Sequence, residues 1–154
     1  MTAERFEWLN PGELVDRDLK LILIEKAPGK AKYEYVPAYI FEMQKTDTLQ
    51  KMGRINLRVG NTEHITMYAG HIGYNVYSQF RGNRYAARSC RLLFPLAKHH
   101  GLNPLWITCN PENIASKRTL EIAGGTFVEI VDVPEDNEIY KKGDLKKCRF
   151  RFDI

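Results

Sequence analysis

Gly73-Tyr74-Asn75-Val76-Tyr77-Ser78-Gln79-Phe80-Arg81-Gly82-Asn83-Arg84-Tyr85-Ala86-Ala87 is the stretch on which the reading of this chain turns. Its first part is rich in aromatic residues and reads as a strand. From Ala86 to His100 the period changes, with Ala86, Cys90, Leu93 and Ala97 at helical spacing. Between the two lies a short turn of arginine, glycine and asparagine. Such a junction points successive backbone N–H groups into one concavity, and the positive dipole end of the helix adds to it. A pyrophosphate suits that concavity, with Arg81 and Arg84 as counter-charges.

Upstream of the turn, short apolar runs are separated by turn signals. Leu19 to Glu25 reads as a strand ended by Pro28-Gly29. Tyr35 to Met43 reads as a second, with Pro37 near its start, where no ladder donor is needed. Arg54 to Val59 alternates and ends at Gly60-Asn61, and Ala69 to Tyr77 is a fourth strand. Downstream, Pro95 is expected to kink the last turn of the helix. Leu105 to Cys109 is a short buried strand, Asn113 to Ala123 a second helix ended by Gly124-Gly125, and Thr126 to Val133 a further strand. In the tail, Cys148, Phe150, Phe152 and Ile154 face one way, with Lys147, Arg149 and Arg151 on an expected solvated face. Four strands, a helix, a strand, a helix and two strands predict an α/β (α+β) fold. Its sheet is mixed, mostly antiparallel and six- to seven-stranded, with helices packed on it, in a single domain over 1–154.

Composition narrows the class. With 154 residues, 44% hydrophobic and 27% charged, the chain can bury a real core. The longest apolar runs are too short to cross a bilayer, and Met1 to Asn10 carries acids rather than a secretory pattern, so a cytoplasmic protein without membrane association is expected. Cys90, Cys109 and Cys148 form no CxxC pair, and the adjacent His99 and His100 lack further ligands, so neither a disulfide framework nor a metal site is expected. The net charge of +4 selects no particular anionic partner. Trp8, Tyr33, Tyr35 and Tyr39 read as core in preference to a cleft lining.

A second segment, Asn110-Pro111-Glu112-Asn113-Ile114-Ala115-Ser116-Lys117-Arg118-Thr119-Leu120, also follows a strand and opens a helix, and places Asn113 and Ser116 on one first turn. With both segments in this order, the chain resembles the GNAT acetyltransferase superfamily, especially its branch similar to ribosomal-protein alanine acetyltransferases. The resemblance runs from about Gly53 to the C-terminus. Arg81 and Ala86 match the ends of that family's phosphate-binding signature, while Arg84 stands where its middle glycine is usual. Asn113, Ser116 and Gly124 match its second signature.

The resemblance implies acetyl-CoA as co-substrate and transfer of its acetyl group to a primary amine, either a small molecule or a protein N-terminus. It implies that backbone around Val76 pairs with the pantetheine arm and that Gly82, Asn83, Arg84, Tyr85 and Ala86 hold the pyrophosphate beside Arg81. Asn113 and Ser116 would contact pantetheine, and Lys117 would lie near the adenosine phosphates. The tyrosine that many members place four residues before the helix-ending glycine is here Leu120, which leaves Tyr140 or Cys109 as substitutes. For the base, Glu63, His64 and His71 lie on or just before the fourth strand, with His71 titrating in the useful range and Glu63 acting through water. The rival readings are an inactive acyl-CoA-binding module and, behind it, a nucleic-acid-binding protein using the basic tail. Nothing decides between a monomer and a homodimer.

Overall fold

The computed structural model describes residues 6–29 and 35–154. Five strands, β1 (Leu14–Asp16), β2 (Leu19–Ala27), β3 (Ala38–Lys45), β4 (Lys51–Arg58) and β5 (Ile72–Val76), pair in sequence order, every neighbour antiparallel. Three more, β6 (Leu105–Cys109), β7 (Thr126–Asp132) and β8 (Lys146–Phe152), form a second antiparallel sheet in the order β6-β8-β7. The mixed α/β class read from the sequence is observed, but among the described residues the strands number eight and divide into two sheets. Helix α1 (Tyr85–His99) links the sheets, α2 (Ile114–Ile122) joins β6 to β7, and the short α3 (Glu138–Lys141) precedes β8. No helix of the described residues is long and apolar enough to cross a membrane.

Strand register sorts the side chains. Phe41, Ile55 and Tyr74 lie across from one another on β3, β4 and β5, and Tyr39, Leu57 and Ile72 on the next rung. This face meets the apolar stripe of α1, whose Cys90, Leu93 and Ala97 are fully buried. The opposite face carries Glu42, Arg54 and Asn75 on one rung. Period two in the strands and 3.6 in the helix thus put one continuous core between sheet and α1. The helix runs through Pro95 to His99.

Three expectations are corrected. The fourth strand begins at Ile72, not Ala69, because His64–Ala69 winds into a π-helical segment. Thr62 starts it, its hydroxyl accepting from Ile65 N–H at 3.2 Å. The tail's second face is not solvated at Arg149, which is buried with its guanidinium 3.9 Å from the Trp106 ring centre. That guanidinium also donates to the Thr66 carbonyl oxygen and pairs with Glu129 at 3.7 Å. Of the four early aromatics, Tyr39 is fully buried and Trp8 packs edge-on against it, but Tyr35 is exposed, and Tyr33 lies outside the described residues.

Candidate active site

Strands β5 and β6 lie side by side yet share no ladder. They are tied at one end, where His71 N–H donates to the Trp106 carbonyl at 2.7 Å and Trp106 N–H donates to His71 Nδ1 at 2.9 Å. Beyond that tie they part, and a cavity of about 330 Å3 opens between β5 and the first turns of α1 and α2. Its wall takes in Tyr74 and Val76 of β5, Arg81, Gly82 and Arg84 of the turn, Tyr85 and Ala86 of α1, and Asn113 and Ser116 of α2. All of the cofactor residues named from the sequence therefore line one cavity except Asn83 and Lys117. Asn83 instead shapes the turn, its amide donating to the Phe80 carbonyl at 3.2 Å.

The turn is built for an anion. Gly82 has φ +91° and open space where a side chain would stand. Arg84, in the family's glycine place, takes the left-handed conformation itself, with φ 60° and ψ 23°. Residues other than glycine adopt it at a cost of roughly 1–2 kcal/mol. No side chain caps α1, so its first N–H groups are not satisfied that way. Arg81 Nε donates to the Val76 carbonyl at 3.1 Å, and among the described residues no acid pairs with Arg81 or Arg84. Behind the turn, Arg88 bonds Asp16 and Asp18, both at 2.7 Å, and Tyr85 hydroxyl donates to Asp18 at 2.5 Å. That last bond, ahead of Arg88, holds the Asp18 carboxyl down at about 2. The start of α1 is thereby fastened to the β1–β2 turn.

The α2 wall differs. Asn113 Oδ1 accepts from Ser116 N–H at 3.0 Å and so caps its own helix. Ser116 Oγ accepts from the Tyr74 hydroxyl at 3.3 Å. Burial, opposed by that bond, pushes the Tyr74 phenol up to about 12, so it stays protonated at neutral pH. Sequence reasoning passed over Tyr74, although the alternation of β5 puts it on the same face as Val76. Leu120 is fully buried in the core, and Cys109 is buried with its thiol raised to about 11 by desolvation.

The three residues named for catalysis do not converge. His71 is fully buried, its Nδ1 lone pair is taken by Trp106 N–H, and its Nε2 faces Asn61 Oδ1 at 2.9 Å. Desolvation holds its pKa down at about 4, so it is a neutral fastening between strands with no lone pair free to accept a proton. Glu63, with His64, lines a separate cavity of about 370 Å3 together with Tyr35, Tyr68, Asn137 and Glu138. There Asn137 and His64 meet at 3.0 Å and Tyr35 hydroxyl donates to Glu138 at 3.3 Å. Tyr140, in α3, lines neither cavity. On the basic tail strand, Phe150 and Phe152 are buried and offer no ring to a base.

Residues 3–126 match the family model described as an acetyltransferase (GNAT) domain. No curated protein sequence matches the chain. Among solved structures, the fold is similar to a putative ribosomal-protein-serine acetyltransferase from Vibrio cholerae, with a TM-score of 0.66 at 16% identity over 95% of this chain and all of that one. It is similar to the ribosomal-protein-S5-alanine acetyltransferase from Vibrio fischeri, with a TM-score of 0.65 at 14% identity over 92% of this chain and 96% of that one. The microcin C7 self-immunity acetyltransferase MccE, solved with acetyl-CoA and AMP, is similar over 76% of this chain, with a TM-score of 0.59 at 17% identity. The present chain spans 61% of MccE's length.

Proposed function

Because the chain belongs to the GNAT acetyltransferase family, we propose that it binds acetyl-CoA in the cavity between β5 and α2 and transfers the acetyl group to a primary amine. The observation that carries this reading is the uncapped start of α1. Its free N–H groups, with Arg81 and Arg84, which no acid pairs among the described residues, border a cavity that continues along the edge of β5. The turn takes the pyrophosphate, and the edge of β5 takes the pantetheine arm as an added strand would be taken.

The amine attacks the thioester carbonyl, the C–N bond forms as the C–S bond breaks, and one N–H proton ends on the CoA sulfur. Tyr74 is the group we assign to that proton's delivery, in the place that Leu120 leaves empty. It is a protonated phenol inside the cavity, oriented by Ser116. The other phenol of the cavity wall, Tyr85, is engaged by Asp18. His71 takes no part in the chemistry. The acceptor is a small amine or a protein N-terminus.

Calorimetric titration with acetyl-CoA, dephospho-CoA and ATP tests the reading. Saturable micromolar binding of acetyl-CoA is expected, and absence of binding at millimolar acetyl-CoA overturns it. Binding without turnover of any amine would instead identify an inactive acyl-CoA-binding module.

A further inference from the structure

A third cavity, of about 400 Å3, lies on the sheet face away from α1 and shares Tyr74 and Asn75 with the first. Strand β5 is thus the common wall of the two. The chemistry of this cavity is cationic. Arg54, Asn56 and Arg58 of β4 share one face, and Arg54 lies opposite Asn75 as Asn56 lies opposite Gly73.

Arg58 reaches over Gly73. Its Nη1 donates to the carbonyl oxygens of Ala69 at 3.1 Å and Gly70 at 2.9 Å. A Cβ on Gly73 would stand 2.7 Å from Nη2, so the glycine is what leaves the guanidinium its place. Among the described residues, no carboxylate comes within 4.0 Å of Arg54 or Arg58. Glu42, across the ladder from Arg54, accepts from Gln44 at 2.8 Å and faces Lys51 at 4.0 Å. Desolvation lowers the Arg58 pKa, as it must for a cation held only by neutral carbonyls. An oxyanion is the ligand that completes such a site, and a planar guanidinium suits a carboxylate in particular.

We propose that the third cavity receives the acceptor and selects amines that carry a carboxylate close to the nucleophilic nitrogen, with Arg58 and Arg54 holding that carboxylate. The acceptor part of this assignment rests on the acetyl-transfer reading. The oxyanion site itself does not. The same two charges act on the nitrogen, since a cationic wall disfavours an ammonium and favours the free amine that can attack.

The test compares acceptors that differ by one carboxylate, each kcat/KM being referred to the free-amine fraction set by that acceptor's own amine basicity. Alanine against alaninamide represents a free amino acid, and Asp-Ala-Ala-amide against Asn-Ala-Ala-amide represents a peptide N-terminus. Thiol release from acetyl-CoA gives kcat/KM for each. In at least one pair the carboxylate member is expected to be favoured tenfold or more, and which pair identifies the source. Arg54→Gln, an exposed position, and Arg58→Gln should each cut the preference below threefold while leaving acetyl-CoA affinity unchanged. Equal kcat/KM within both pairs, or a preference that survives both substitutions, overturns the proposal. Should acetyl-CoA fail to bind, the acetyl-transfer reading falls alone. Direct calorimetry of the four probes then decides the cavity: carboxylate-dependent binding weakened tenfold by Arg54→Gln upholds the oxyanion site, and its absence rejects it.

Discussion

The two helix entrances that border the first cavity both follow a strand and are finished in opposite ways. Ahead of α2, Asn113 turns its side chain back and takes the Ser116 N–H at 3.0 Å. Ahead of α1, Arg84 takes a left-handed backbone conformation and offers no side-chain cap. A missing cap is worth about 1 kcal/mol, and a left-handed arginine costs about as much again. The closed entrance is part of the scaffold, whereas the open one keeps donors unsatisfied that an incoming anion can use. Both entrances follow strands, β5 and β6, which His71 ties at one end.

Breaking that tie is the largest perturbation. In the fold His71 has a pKa near 4, against about 6.5 when unfolded. The unfolded chain therefore binds more protons between those values. The contribution is complete above about pH 6.5 and is lost as pH falls toward 4, amounting to about 3 kcal/mol at 1.36 kcal/mol per unit. Urea unfolding at pH 7, 5.5 and 4.5 should show this loss in the wild-type protein and a flatter profile in His71→Asn. Identical pH dependence in the two proteins would remove His71 as the fastening between the entrances.

Next in size is a substitution at the open entrance. Gly82 and Gly143 have similar backbone conformations, φ +91° and +105°, and each has open space around a would-be Cβ. Valine at either position should carry a similar backbone strain, so stability serves as the internal control. Only Gly82 borders the cavity. Gly82→Val is expected to weaken acetyl-CoA binding at least thirtyfold, about 2 kcal/mol, by calorimetry, and Gly143→Val to leave it unchanged. Equal effects at both glycines would sink the assignment of the turn.

How much of this was legible in the sequence follows the range of the interactions involved. The apolar run from Leu19 to Glu25, the alternation from Arg54 to Val59 and the helical spacing of Ala86, Cys90, Leu93 and Ala97 are local signals, and β2, β4 and α1 stand close to where those signals put them. The cofactor turn was legible for the same reason, since its residues are consecutive. The π-helical segment was not: Ala69 to Tyr77 read as one strand, and no local pattern marks the turn in which Ile65 N–H donates to the Thr62 hydroxyl. Arg149 read as solvated because nothing local announces Trp106 beneath it and Glu129 beside it. His71 and Glu63 were read as candidate bases from their place on or just before the fourth strand, and Tyr140 as a substitute acid from its residue type. Whether such groups meet is decided by contacts across 35 residues or more, such as His71 with Trp106, which no local pattern encodes.

The smallest expected effects exchange the finish of the two entrances. Asn113→Ala removes a side-chain cap and should destabilise the protein by about 1 kcal/mol, with Ser116 N–H left to solvent. Arg84→Gly should do the reverse, stabilising by up to about 1 kcal/mol, because glycine holds φ near +60° without the clash that arginine suffers. Thermal unfolding of the two variants side by side reads both signs at once. Affinity separates the roles further. Losing the Arg84 charge should weaken acetyl-CoA binding a few-fold and more steeply at low salt, as expected of an exposed phosphate contact, while Asn113→Ala should change the salt dependence little. If Arg84→Gly were both more stable and tighter-binding, the arginine would be a pure backbone cost at the family's glycine position, and Arg81 with the bare helix end would carry the anion alone.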